Sequence, residues 1–213
     1  MSRWNRRLKR GSCALSVSPA FLLLLFLFAA IDEQHLLLPL LLAAAIHEGG
    51  HILVLRLCGG QIEALRITAM GAELRIHHSE RLSYGREIAA VLAGPCSNLL
   101  AMYVLAALAV QWNWENGFLY AGLHGALALF NLLPVRMLDG GRSLYLLLSW
   151  KTEPITAARV MRAVSCLCLS ILLALGAALQ LVIGIQLPLL LLEGWLFAGW
   201  LRETGIVKCR GKG

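Results

Sequence analysis

Ala44-Ala45-Ile46-His47-Glu48-Gly49-Gly50-His51-Ile52-Leu53 sets two histidines and a glutamate inside an otherwise apolar run. Four residues apart on a helix, the histidines are offset by ~40° around the axis and ~6 Å along it, close enough to share one ion. Glu48 adjoins the first of them, which places it to act on a water beside the metal rather than on the metal itself. Ionisable groups in a lipid-embedded helix cost ~2.5–3.5 kcal/mol per charged residue at its centre, so a compensating use is expected. The chemistry indicated is that of a metallohydrolase. A purely structural reading has both histidines bonded to neighbouring helices and Glu48 protonated.

The surrounding composition is that of a membrane protein. Of 213 residues, 59% are hydrophobic and 15% charged, with a mean hydropathy of +0.72. A net charge of +7 raises the question of nucleic acid, but the basic residues form no patch interleaved with aromatics, and no nucleic-acid partner is expected. Six cysteines, none in a Cys-x-x-Cys pair, read as reduced and structural.

In chain order, a basic N-terminus precedes an uncharged stretch from Gly11 to Ile31, read as an uncleaved first helix because no convincing cleavage site follows. Leu36 to Leu57 is a second helix carrying the histidines. From Gln61 to His78 the pattern changes to a mixture of apolar and charged residues about Met70-Gly71, which predicts a short β-hairpin. His77 and His78 are expected at the interface or in solvent. Ile88 to Val110 is a third span with an expected interruption at Gly94-Pro95-Cys96-Ser97-Asn98. Gly117 to Leu133 is a fourth, stopped by Pro134 and Gly140-Gly141, which leaves Asp139 on irregular backbone. A linker through Lys151 and Pro154 leads to a fifth span, about Val160 to Ile185, and Leu187 to Leu201 is the sixth. The predicted fold class is an all-α polytopic membrane protein with six transmembrane helices and a short cytoplasmic-side β-hairpin between helices two and three.

The basic residues give the topology. All 19 lie in the N-terminus, the Arg56–Arg86 loop, the Arg136–Arg162 region or the tail, and the turns at Asp32, Trp112 and Gln186 have none. By the positive-inside rule both termini are cytoplasmic. His51 lies ~7.5 Å of helix rise from Arg56, so the metal belongs in the cytoplasmic half of the bilayer.

A catalytic zinc commonly takes three protein ligands. Only two aspartates exist, and Asp32 is expected on the far side of the membrane, so Asp139 is the expected third ligand. Glu193, the competing carboxylate, lies on the sixth segment, which begins outside, so it is expected in the outer or middle part of the bilayer, making a polar contact between helices. Asn131 is a candidate to donate to the scissile carbonyl or hold substrate backbone, with an interhelical hydrogen bond as its other reading. Asn98 is a second, weaker candidate, and His124 reads as a structural hydrogen-bonding residue.

His47-Glu48-Gly49-Gly50-His51 on a second helix, with Asn131-x-x-Pro134-x-x-x-Leu138-Asp139-Gly140 after a fourth, resembles the site-2 protease family of intramembrane zinc metalloproteases. The six-helix plan, Gly94-Pro95-x-x-Asn98 and the lack of a PDZ insertion are most similar to its stage IV sporulation protein FB branch. The likeness covers roughly Leu36 to Trp150. It implies one zinc held by His47, His51 and Asp139, Glu48 as catalytic base, and a hairpin that guides unwound substrate by strand addition. A membrane-associated protein substrate is implied, with a sporulation sigma-factor precursor as the family-level expectation. That branch commonly carries a C-terminal nucleotide-sensing CBS domain. Here one domain, residues 1–213 with a core of about 36–150, is expected without it, leaving inhibitory membrane partners as a candidate means of control.

Two other functions fit the same ligands. A metal transporter needs polar residues along a path through both leaflets, and the outer helix halves offer little beyond His35, Glu115 and Glu193. A catalytically silent regulatory relative is disfavoured by the complete ligand set and Glu48.

Overall fold

The computed structural model describes residues 14–32, 35–68, 71–77, 82–184 and 186–204. The basic N-terminal run, Met70, His78 and residues 205–213 of the tail therefore lie outside the described residues. Two compact units divide the chain, residues 1–128 and 129–213.

The first unit opens differently from the single helix expected over Gly11 to Ile31. Ala14–Val17 is a strand, β1, and Pro19–Ile31 is a 13-residue helix, α1. Ser18-Pro19 makes the change. The Ser18 amide donates to Ile67 O at 2.9 Å, extending the strand pairing, while the Ser18 hydroxyl accepts from the Phe21 amide at 3.2 Å. Proline at the first helical position is already set to the helical φ and lacks a donor that would go unused there.

The hairpin is present as β2, Gln61–Thr68, and β3, Gly71–His77, antiparallel and in register from Gln61↔His77 to Thr68↔Gly71 with a bulge between Ile62 and Ala64. It is one part of a three-stranded sheet of order β1-β2-β3, because β1 pairs parallel to β2. A parallel partner far away in sequence leaves no local signal.

Helix α2, Leu37–Leu57, carries the histidines between two well-defined ends. The Asp32 carboxylate accepts from the amides of Leu36 (2.9 Å) and Leu37 (2.8 Å) at its start. At its end Gly59 takes φ 86°, and the amides of Gly59 and Gly60 donate to Arg56 O and Leu55 O, closing a Schellman turn. Helix α3, Tyr84–Trp112, runs unbroken through Pro95, contrary to the expected interruption. Pro95 removes the bond to Val91 O, and close packing on α2 compensates: the Ser97 hydroxyl donates to Ile46 O (3.0 Å) and lies 2.7 Å from Gly94 O. Small residues at this interface let the backbones approach. Helix α4, Glu115–Asn131, contributes buried Ala121, His124 and Ala128.

In the second unit, the segment expected as irregular backbone and linker is a helix, α5, Asp139–Lys151. Asp139 is therefore its first residue, after an extended Leu138. Gly140 and Gly141 enclose the reason, since a Cβ on either would strike the backbone of Leu132 or Val135. The glycines that suggest a break in sequence are what allow the 132–136 turn to cross the first turn of α5. Helix α6 is Pro154–Ile183 and α7 is Leu187–Thr204. Val135, Leu138, Leu169 and Leu196 form the core, with Phe130, Leu133 and Trp195 packed against it.

Among the described residues, three helices, Leu37–Leu57, Tyr84–Trp112 and Pro154–Ile183, are long and apolar enough to cross a membrane, and two shorter apolar helices overlap α1 and α7. The chain is a membrane protein.

Candidate metal centre

In the first unit His47 and His51 stand as their spacing requires. Their Nε2 atoms are 3.1 Å apart and the ring centroids 4.8 Å apart, with planes at 82°. His47 is buried and His51 half-buried. Each ring is held from its other nitrogen: His51 Nδ1 lies 2.9 Å from Ala90 O, and His47 Nδ1 lies 3.2 Å from Asn98 Nδ2. A carbonyl can only accept, so His51 carries its proton on Nδ1 and directs a lone pair from Nε2. This is the state a metal-ligating histidine needs.

Two glycines bring the helices that near. A Cβ on Gly50 would lie 2.6 Å from Ala93 O, and one on Gly94 would overlap the His51 imidazole. Glu48, one position after His47, is half-buried on the same helix.

Asn98 is fully buried, and its Oδ1 lies 3.0 Å from Nδ1 of His124, itself 4% exposed. Neither the link from Asn98 to His47 nor that from Asn98 to His124 is legible in sequence, because α2, α3 and α4 bring residues 26 to 51 positions apart together. The available signal was polarity inside apolar helices. His124 also lines a cavity of about 950 Å³ whose walls include Leu38, Ile46, Leu105 and Trp114.

Asp139 and Asn131 belong to the second unit. Asp139 is half-buried in the first turn of α5, where the helix end favours a negative side chain. The turn that leads to it is fixed by Arg136 N donating to Oγ of fully buried Ser165 at 2.8 Å and by Leu138 N donating to Val135 O at 2.8 Å. Asn131 is the last residue of α4. Glu193 accepts from Gln180 Nε2 at 2.9 Å, the contact between helices expected of it.

No protein-family model matches the chain. Over 156 residues it is 30% identical to stage IV sporulation protein FB of Bacillus subtilis (strain 168), covering 71% of this chain and 52% of that protein. The chain thus spans about half the length of the curated relative it matches. The site-2 protease from Methanocaldococcus jannaschii has a TM-score of 0.66 and 21% identity, over 97% of this chain and 98% of that one, and so shares its fold. The paired histidines on α2, an aspartate in the first turn of α5 and these two likenesses together support assignment of the chain to the site-2 protease family.

Proposed function

We propose that the protein is an intramembrane zinc endopeptidase that cuts membrane-associated proteins near the cytoplasmic face. The observation that carries this reading is the His47–His51 pair, two Nε2 atoms 3.1 Å apart with one ring already oriented for ligation. Asp139 is the proposed third ligand beside His47 and His51, which would give a His/His/Asp donor set of the kind that leaves one zinc position open for chemistry. Zinc bound there supplies Lewis acidity, lowering the pKa of water toward ~7 and polarising a peptide carbonyl.

The chain's own residues do the rest. Glu48 takes a proton from the attacking water and returns it to the leaving nitrogen, so the peptide C–N bond breaks as a C–O bond forms. Asn131 holds substrate backbone or donates to the scissile carbonyl. The β2–β3 hairpin offers an edge to which an unwound substrate segment adds as a strand. Six spans are proposed, α1, α2, α3, α4, α6 and α7, with both termini cytoplasmic. A sporulation sigma-factor precursor is the proposed substrate, supported by the likeness to stage IV sporulation protein FB.

The test is cleavage of such a precursor by purified protein in detergent, before and after zinc is removed by a chelator and restored. Activity lost with the metal and regained with zinc is expected. Cleavage that survives complete removal of zinc would overturn the reading.

A further inference from the structure

Resting on the zinc reading above, we propose that Ser165 on α6 and Gly199 on α7 are positioning residues for Asp139, so that two helices supplying no metal ligand decide where the third ligand stands. Asp139 follows residues 132–138, the irregular turn between the last residue of α4 and the first of α5. Most of that turn's amide bonds are local. Leu133 N donates to Phe130 O (3.2 Å), Val135 N to Leu133 O (2.7 Å) and Leu138 N to Val135 O (2.8 Å), while Pro134 has no donor. Arg136 N instead donates out of the turn, to Ser165 Oγ at 2.8 Å. Ser165 is 0% exposed, so water cannot take its place, and without the hydroxyl the Arg136 amide must move to find an acceptor.

The neighbouring residues show what this one bond adds. Val135 and Leu138 are buried against Leu169 of α6 and Leu196 of α7. Apolar burial holds the turn down but is non-directional, and leaves it free to rotate slightly. A hydrogen bond has a preferred length and angle, so Ser165 fixes the turn's depth and tilt three residues before Asp139. The second constraint comes from α7. Met137 sets its terminal methyl where a Cβ on Gly199 would stand, with Sδ 3.3 Å from that position, so the missing side chain of Gly199 is the seat that Met137 fills. A metal ligand must be held within about 0.5 Å and 10–20° of its working geometry. Backbone on one side of Arg136 and side chain on the next residue are pinned to two different helices, which is what that tolerance asks of an irregular segment.

The test uses the full chain in detergent micelles, well below its thermal midpoint. Zinc dissociation constants are measured by chelator competition for the parent, Ser165→Ala, Gly199→Leu and a matched control, Ser170→Ala. The control also removes a serine hydroxyl from α6, one that accepts from Trp200 Nε1 at 3.0 Å and does not touch the turn. Metal-free thermal midpoints of all four, and hydrogen exchange of the Arg136 amide, are recorded alongside. Ser165→Ala should bind zinc about 10–100-fold more weakly, with Arg136 exchanging faster before any zinc is added. Ser170→Ala should stay within about 2-fold of the parent, as an independent site does. Gly199→Leu displaces Met137 without loss of helix propensity and should weaken zinc about 10-fold. A purely structural serine would lower the midpoint and leave the affinity of the folded protein alone. If Ser165→Ala fails to fold, Gly199→Leu and the protection of Arg136 in the parent still decide. Parental affinity in folded Ser165→Ala or in Gly199→Leu, equal weakening in Ser170→Ala, or an unprotected Arg136 amide in the parent would overturn the inference while zinc binding by the parent stands. A parent that binds no zinc would overturn the zinc reading and this inference with it.

Discussion

Gly94 leaves no room for a methyl group beside the His51 ring. Gly94→Ala should therefore lower zinc affinity about 10-fold or more by turning His51 off its bond to Ala90, an effect of the size seen when ligand orientation is disturbed. Alanine favours an α-helix over glycine by ~1 kcal/mol, so reduced helix propensity would not explain the loss. Chelator competition reads the affinity, and a parental value would refute the crowding argument. At this scale the pairing of His47 with His51 was legible because His-Glu-x-x-His is local: a spacing of four residues on one helix fixes the geometry. The oriented rings were not, since Ala90, Gly94, Asn98 and His124 meet them only after three helices pack.

Elements were legible where apolar length decides them. The helix around His47 and the hairpin around Met70-Gly71 were read with bounds close to those observed. Two features were hidden by residues with double meanings. Ser18-Pro19 both ends a strand and starts a helix, and Gly140-Gly141 allows close backbone crossing where it reads as a helix stop. The cap on α2 gives a prediction here: Asp32→Ala removes both carboxylate bonds to Leu36 and Leu37 and should cost about 0.5–2 kcal/mol in unfolding free energy. Asp32→Asn, which keeps one acceptor oxygen for one of the two amides, should recover about half of it. At the other end Gly59 sits at φ 86°, where an L side chain costs ~1–2 kcal/mol, so Gly59→Ala should destabilise by about that much. Denaturant titration of each variant checks both, and unchanged midpoints would contradict the capping account.

For the whole molecule, the placement of all 19 basic residues in alternate connections argues for both termini on the cytoplasmic side. With native cysteines replaced, a single cysteine at Asn113 should react with an impermeant thiol reagent only from outside the membrane, and one at Thr152 only from inside. Labelling of both from one side would exclude the six-span arrangement.

Cleavage of a sigma-factor precursor and bound zinc, measured together in the parent, Glu48→Gln and Asp139→Ala, bear most directly on the proposed protease. The parent should cut with one zinc per chain. Glu48→Gln should keep its zinc while cleavage slows by about 10²–10⁴-fold, the range for a lost general base, and Asp139→Ala should lose both zinc and cleavage. Undiminished cleavage in Glu48→Gln, or parental zinc affinity in Asp139→Ala, would contradict the assignment of base and third ligand.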